Sequence, residues 1–291
     1  MPVSSSRSDQ RPSSRSLSCL SCGCLPVFIL AAFLGLFSAI YFFAPGRTNI
    51  LLLGIDQTPE GSAVGRSDTN ILTTFLPSEP YIGLVSIPRD LWVKIPGFGE
   101  NRINTAHFFA EAANPGSGPS LARQTVQENF GITVPYYLRI KFDGFKDVLN
   151  AMGGVDINLS EPTAGYGVGK HHLTGRKALA FVRNRTGSDD FFRMAQAQII
   201  LKSAYTQMLS PLNWWRLPAV STALLGSVDT NLPFWLWPRV GLALLRVGPN
   251  GIDNRTISRD MVAAAITDQG ASVLQPVWER INALLLEIFG E

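Results

Sequence analysis

The chain has 291 residues, 46% hydrophobic and 16% charged, enough apolar material for one sizeable core or at most two modest ones. Of its net charge of +3, the first 24 residues supply +2, through Arg7, Arg11 and Arg15 against Asp9. The remainder is nearly neutral, so bulk charge gives no argument for nucleic acid as a partner, and any anion site must come from local clustering.

Residues 1–24 are Ser-rich and lack apolar periodicity, the signature of a disordered tail, here cytoplasmic. Residues 25–44 contain no charge, and twenty residues at about 1.5 Å each just span roughly 30 Å of hydrocarbon. The run is longer than the roughly 7–15 apolar residues of a signal peptide. It ends in Tyr41-Phe42-Phe43 with no small-x-small cleavage site, which predicts an uncleaved transmembrane anchor. Arginines precede the run, and only Arg47 stands just beyond it. The positive-inside rule then puts residues 45–291 on the outer face of the cell membrane as a single domain. Cys19, Cys22 and Cys24 all sit at the cytoplasmic edge, with no histidine near to complete a zinc set. The outer domain has no cysteine, which excludes disulfides and a thiol nucleophile.

Within that domain, residues 49–55 read as a buried strand, and strand-like runs follow at 69–76 and 81–87. Residues 114–119 read as a loop, and Ser120 caps a helix that Gly131 ends. A strand at 136–142 leads to a helix capped by Asp143 and closed by Gly153-Gly154, and 155–159 is a further strand. The pattern turns helical from Thr174, resumes at Phe191 for roughly five turns, and is helical again at 234–246 and 276–289. Strands interleaved with helices predict one α/β domain, an α-β-α sandwich on a central mixed sheet.

Two carboxylates open the domain: Asp56 just beyond the first strand and Asp68 at the head of the second. Acidic residues at strand ends face the crevice where α/β sheets hold ligands. Mg2+ takes one or two such carboxylates together with phosphate oxygens and water. Singly, each Asp reads more simply as a turn or cap residue. Arg66 precedes Asp68 by two positions, Arg89 and Asp90 close SIPRD, and Arg102 stands in NRINTAH. Arg183, Arg185 and Arg193 cluster with Asp189 and Asp190 in FVRNRTGSDDFFR. Guanidinium forks suit bidentate contacts with phosphate oxygens, although Arg183 and Arg185 alone read as complements of a helix C-terminus. His107, His171 and His172 are expected in packing or loop roles. Apolar residues near these motifs (Phe108, Phe109, Leu149, Phe181, Ile199, Ile200) fit a lipid groove and ordinary core packing equally well.

Taken together, LLLGIDQ, GRSDT, SIPRD, NRINTAH and LTGRKALAFVRNR with DDFFR resemble, in order, the motifs of the LytR-CpsA-Psr cell-wall ligases. The resemblance runs from about residue 49 to 198, with a weaker likeness around Thr230 and Ala271. It implies a phosphotransferase moving a phosphate-linked glycopolymer from a polyprenyl diphosphate carrier to a peptidoglycan hydroxyl. Asp56 and Asp68 then fall on the Mg2+ positions, and Arg89, Arg185 and Arg193 on the phosphate grip. Arg66, Arg102 and Arg183 become further contributors, and Asp90 or Asp190 a group to orient the acceptor hydroxyl. Gln196-Ala197 stands where the family usually has an Arg-Gln pair. Two rivals use the same residues: a polyprenyl diphosphate phosphatase or pyrophosphatase with water as acceptor, and a lipid-glycan binding or regulatory membrane protein without catalysis.

Protease added to cells whose outer surface is open should digest residues 45–291 and leave a short N-terminal fragment. Full protection of the domain would reverse the topology.

Overall fold

The computed structural model describes residues 21–43, 46–55, 64–76, 79, 81–184, 190–248 and 251–290, but not the side chains of 21–25, 43 and 190. It divides into two units, Met1–Ala44 and Pro45–Glu291. The first contains helix α1 (Ser21–Phe43), whose large apolar side chains, such as Phe28 and Phe37, are exposed. Among the described residues no helix is long and apolar enough to cross a membrane. The predicted span at 25–44 lies partly outside them, because its side chains are described only over 26–42.

The second unit runs β1 (Thr48–Ile55), β2 (Ser67–Leu76), β3 (Tyr81–Ile87), β4 (Trp92–Ile95), β5 (Gly99–Arg102), α2 (Thr105–Ala113) and α3 (Gly118–Phe130). Then follow β6 (Tyr136–Lys141), α4 (Phe142–Ala151), β7 (Val155–Leu159), β8 (Gly169–Leu173), α5 (Gly175–Arg183), α6 (Asp190–Leu209) and α7 (Leu217–Ser227). The chain closes with β9 (Val228–Thr230), α8 (Trp237–Val247), β10 (Ile252–Thr256), β11 (Val262–Ile266), β12 (Ser272–Pro276) and α9 (Trp278–Phe289). Six strands form the central sheet in the order β10-β3-β2-β1-β6-β9. β1 pairs antiparallel with β2 and parallel with β6, while β3 pairs antiparallel with β2 and parallel with β10. The sheet is therefore mixed, as its sequence pattern predicts.

Side-chain alternation along the strands divides the interior in two. Leu51, Leu53, Ile55, Leu72, Val85 and Ile87 pack against Ala122, Val126 and Phe130 of α3 and Ile281, Leu285 and Ile288 of α9. Ile50, Ile71, Ile82 and Leu84 point the other way, toward Ala243 and Val247 of α8. A third cluster joins Leu149 of α4 and Phe181 of α5 to Ile157, Leu173 and Ile200, tying α4–α6 to the β7–β8 hairpin. Helices thus cover both faces of the sheet, the predicted sandwich.

Several local expectations shift. α3 begins at Gly118, so 118 and 119 belong to it and Ser120 lies inside its first turn; Pro119 fits there because those N–H groups lack helical partners. Asp143 likewise sits in the first turn of α4 rather than at its cap. Residues 171 and 172 are on β8, not in a loop: Nδ1 of His172 lies 2.7 Å from Asp156 Oδ1 on the partner strand. Pro276 ends β12 instead of starting the last helix, and a 3-10 turn, Phe234–Leu236, precedes α8.

Gly175 shows why LTGRK needs a glycine. A Cβ there would stand 2.3 Å from the Lys146 carbonyl oxygen on α4, a backbone atom that cannot swing aside. Thr174 caps α5, accepting from the Lys177 N–H at 3.5 Å. Gly175→Ala should therefore lower stability by about 1–3 kcal/mol, read from the urea midpoint. An unchanged midpoint would mean that α4 and α5 can part without cost.

Candidate active site

A cavity of about 230 Å³ opens where β1 and β6 end and β2 begins. Asp68, Thr69, Asn70 and Ile71 of β2 form one wall, with Ser86 of β3 and Arg89 just past it. Phe142 opens α4, Val182 and Arg183 close α5, and Arg193, Met194 and Ala197 come from the first turns of α6. The site is thus built at element ends, outside the sheet's carboxyl edge, where main-chain groups leave room for a ligand.

Four of the predicted residues form a charged chain beside this cavity. Arg89 reaches Asp68 Oδ1 with Nη1 at 3.3 Å and Asp90 Oδ2 with Nε at 3.5 Å. Arg102 reaches Asp90 Oδ1 at 3.3 Å and donates to the Ser272 carbonyl at 2.6 Å. Asp90 therefore holds two arginines in line, and all four side chains are about a fifth to a third exposed. Arg183 lies over the Phe142 ring at 5.1 Å, and Arg66 over Phe108 at 5.7 Å. Asp68, Arg89, Arg183 and Arg193 are brought to one cavity; Arg66, Arg102 and Asp90 are not part of its lining. Asp56, Arg185 and the side chain of Asp190 lie outside the described residues.

No group of three or more metal-ligating His, Cys, Asp or Glu side chains occurs among the described residues. The cavity wall offers the carboxylate of Asp68. One hard oxygen donor beside several arginines fits Mg2+, which needs only one or two protein carboxylates and takes its remaining oxygens from phosphate and water.

A second cavity, of about 270 Å³ and almost wholly apolar, lies behind the first. Leu52 and Leu138 of the sheet, Phe145 and Leu149 of α4, Ile200 of α6 and Leu224 of α7 are among its walls. Thr69, Ile71, Phe142, Val182 and Ala197 line both cavities. Of the groove candidates, Leu149 and Ile200 are on it. Phe181 is fully buried core, and Phe109 stacks on Phe98 at 5.0 Å. Sequence reasoning missed Gln198, whose Nε2 donates to Ser86 Oγ at 3.0 Å and Thr256 Oγ1 at 2.8 Å, pinning α6 to β3 and β10. Gln196, at the position of family departure, is 1% exposed, and its Oε1 has no hydrogen-bond partner among the described residues.

His107 has a packing role, and the surrounding bonds define it. Its Nε2 faces the Arg139 Nη1 donor at 3.2 Å, so Nε2 accepts and Nδ1 carries the proton donated to the Gly65 carbonyl at 3.0 Å. This fixes the backbone next to Arg66. Arg139 is itself paired with Glu111 at 3.1 Å and Asp229 at 2.8 Å. Burial pushes the His107 pKa down, and the Arg139 charge adds to it. A depressed histidine pKa gives stability that is full above the unfolded value of about 6.5 and is lost as pH falls toward the folded value. The urea midpoint should drop on acidification below about pH 6.5, each unit of depression being worth about 1.4 kcal/mol. His107→Gln should flatten that slope; an unaltered slope would assign it to other groups.

The sequence model of the LytR_cpsA_psr family matches residues 43–287. Polyisoprenyl-teichoic acid–peptidoglycan teichoic acid transferase TagU of Oceanobacillus iheyensis is 34% identical over 190 residues, 63% of this chain and 58% of that protein. The chain thus aligns with under two thirds of that relative's length. The crystal structure of B. subtilis TagV superposes with a TM-score of 0.68 at 25% identity, covering 84% of this chain and 98% of that one. TagT bound to LIIa-WTA gives 0.65 at 25% identity, covering 84% and 91%. With residues of GRSDT, SIPRD, LTGRKALAFVRNR and DDFFR lining one cavity on the matching fold, and the family model spanning most of its length, the chain belongs to the LytR_cpsA_psr family.

Proposed function

We propose that this chain is a membrane-anchored, Mg2+-dependent phosphotransferase that moves a phosphate-linked glycopolymer from a polyprenyl diphosphate carrier to a peptidoglycan hydroxyl, forming a phosphodiester. The observation that carries this reading is the arginine-lined cavity that shares five wall residues with an apolar one. Such a pair fits a ligand that is a polyanion at one end and a hydrocarbon at the other. The names of TagU, a teichoic acid transferase, and of TagT bound to LIIa-WTA point to the same substrate class. The charge-free run at 25–44 and the arginines before it support an anchor with its N-terminus in the cytoplasm and residues 45–291 outside.

The acceptor oxygen attacks the glycan-side phosphorus, the bond to the bridging oxygen breaks, and polyprenyl phosphate leaves. Negative charge grows on the bridging and non-bridging oxygens, and Arg89, Arg185 and Arg193 stabilise it, with Arg66, Arg102 and Arg183 contributing around them. Asp68, with Asp56, would hold Mg2+, which supplies further charge stabilisation when bound. Asp90 keeps Arg89 and Arg102 in line, while Asp190 is placed in the motif to orient the acceptor hydroxyl. The apolar cavity takes the first isoprene units and keeps water from that side of the reaction.

The test uses purified full-length chain with a polyprenyl diphosphate glycan, with and without peptidoglycan and Mg2+. Glycan should become linked to peptidoglycan only when both are present. Release of glycan phosphate without peptidoglycan would indicate a hydrolase, and binding without turnover a lipid-glycan binding protein. Arg89→Ala, Arg185→Ala or Arg193→Ala should each lose roughly ten- to a hundred-fold in rate, about 1.5–3 kcal/mol of charge-assisted contact, with little change in Tm. Lysine at the same positions should recover only part. Asp56→Asn or Asp68→Asn should abolish transfer with the fold intact; near-normal rates would make that Asp structural.

A further inference from the structure

The end of the domain away from the polar cavity carries an unusual exposed surface. β1 enters the domain at Gly46, whose carbonyl accepts from Arg239 Nη2 at 3.3 Å at the start of α8. β6 runs parallel to β1, so Tyr136 begins at that same end. Asn231 fixes the next segment there, accepting from the Tyr137 N–H at 2.8 Å and donating to the Pro135 carbonyl at 3.0 Å. Phe234 and Trp235 follow, rings 5.2 Å apart and mostly exposed.

α6 leads to this end as well. Its first turn, with Arg193, stands beside the cavity, and at about 1.5 Å per residue its twenty residues span roughly 30 Å. Tyr205, near its far end, donates its hydroxyl to the Leu244 carbonyl of α8. Leu212, Trp214 and Trp215 come next, exposed at 84%, 50% and 73%. They are not a loose loop: Arg216 lies across Gly153, donates to the Met152 carbonyl, and sits 4.7 Å over the Trp215 ring. From there α7 runs back toward the polar end, where Val228 pairs with Ile140, and its Leu224 lines the apolar cavity. Across 201–248 the charged residues are Lys202, Arg216, Arg239 and Arg246 against Asp229, which is already paired with Arg139.

We propose that this surface, built on Trp214, Trp215, Phe234 and Trp235, docks on an anionic lipid bilayer. Indole and phenyl rings settle at the headgroup level, where one end meets hydrocarbon and the other water. The basic excess complements anionic headgroups. The chain enters the domain at this same end. The orientation rests on the proposed membrane anchor, and docking adds what an anchor alone does not: it presses the α6–α7 wall of the apolar cavity against the layer that stores the carrier lipid.

The three hydrophobic cores among the described residues draw only on residues between Ile50 and Phe289, so residues 45–291 carry their own interior and can be tested without the anchor. This fragment is sedimented with vesicles of phosphatidylcholine plus phosphatidylglycerol, and tryptophan quenching by brominated phosphatidylcholine is read alongside. Wild type should bind and be quenched. The double variant Trp215→Ser, Trp235→Ser should bind about tenfold less at unchanged Tm, and phosphatidylcholine alone should bind several-fold less. Equal binding of wild type and variant overturns the proposal. So does a wild-type dimer without vesicle binding that the variant dissolves, which would give the face to a second copy. Glycan transfer in detergent by a protein that ignores vesicles refutes docking and leaves the transferase reading intact; vesicle binding without transfer does the reverse.

Discussion

The parallel pairing of β1 with β6 is the constraint on which the rest depends. A parallel neighbour cannot be reached by a tight turn, so the chain between them must cross over, and α2 and α3 lie in that crossover. The pairing also brings the carboxyl ends of β1 and β6 to one edge. The antiparallel partner β2 begins at that edge, with Ile55 opposite Ser67. Asp68 and Phe142, far apart in sequence, become walls of one cavity for that reason alone. Leu51, Leu53 and Ile55 on one face and Ile50 on the other bury β1 on both sides, as a central strand covered by helices on both faces requires.

Electrostatics at the site serve orientation more than stability. Ion pairs as exposed as Arg89–Asp68 and Arg102–Asp90 contribute about 0–1 kcal/mol each, so they are poor fasteners. What they fix is the direction of the guanidinium planes. The network around His107 differs. There Arg139 is mostly buried, between Glu111 and Asp229, and its loss would leave several groups unmatched in a low-dielectric interior. For Glu111, burial alone would raise the carboxyl pKa; the Gly118 and Gly116 N–H groups and Arg139 outweigh it and hold the value below the usual range.

What was legible in the sequence followed from local chemistry. The run 81–87 is a strand with those bounds, and Gly131 and Gly153 adopt the left-handed backbone that ends a helix. The short pieces were not legible. β4 and β5 have four residues each, and β10 to β12, with five, lack the clean alternation that marks the equally short β7. α2 was missed because its face is set by packing against α3 rather than by a cap, its N-cap Asn104 making no side-chain capping bond. For the site, the motif arginines were nameable, yet nothing local separates Arg89, in the cavity wall, from Arg102, tied to a distant carbonyl. That distinction depends on the β11–β12 ribbon, which supplies Ser272 from 170 positions away. The apolar cavity was equally hidden, since a Leu facing a void and a Leu facing a Leu look alike in sequence.

Gln198 gives α6 a meaning beyond its length. One amide ties the helix to Ser86 and Thr256 at the rim of the sheet, while Arg193 and Ala197, within five positions before it, face the polar cavity and Ile200 faces the apolar one. The helix is therefore a single partition fastened at its hinge line, and the two chambers have no independent walls there. Widening one narrows the other. A substitution on this stretch of α6 that enlarges the apolar cavity will be felt in the polar one.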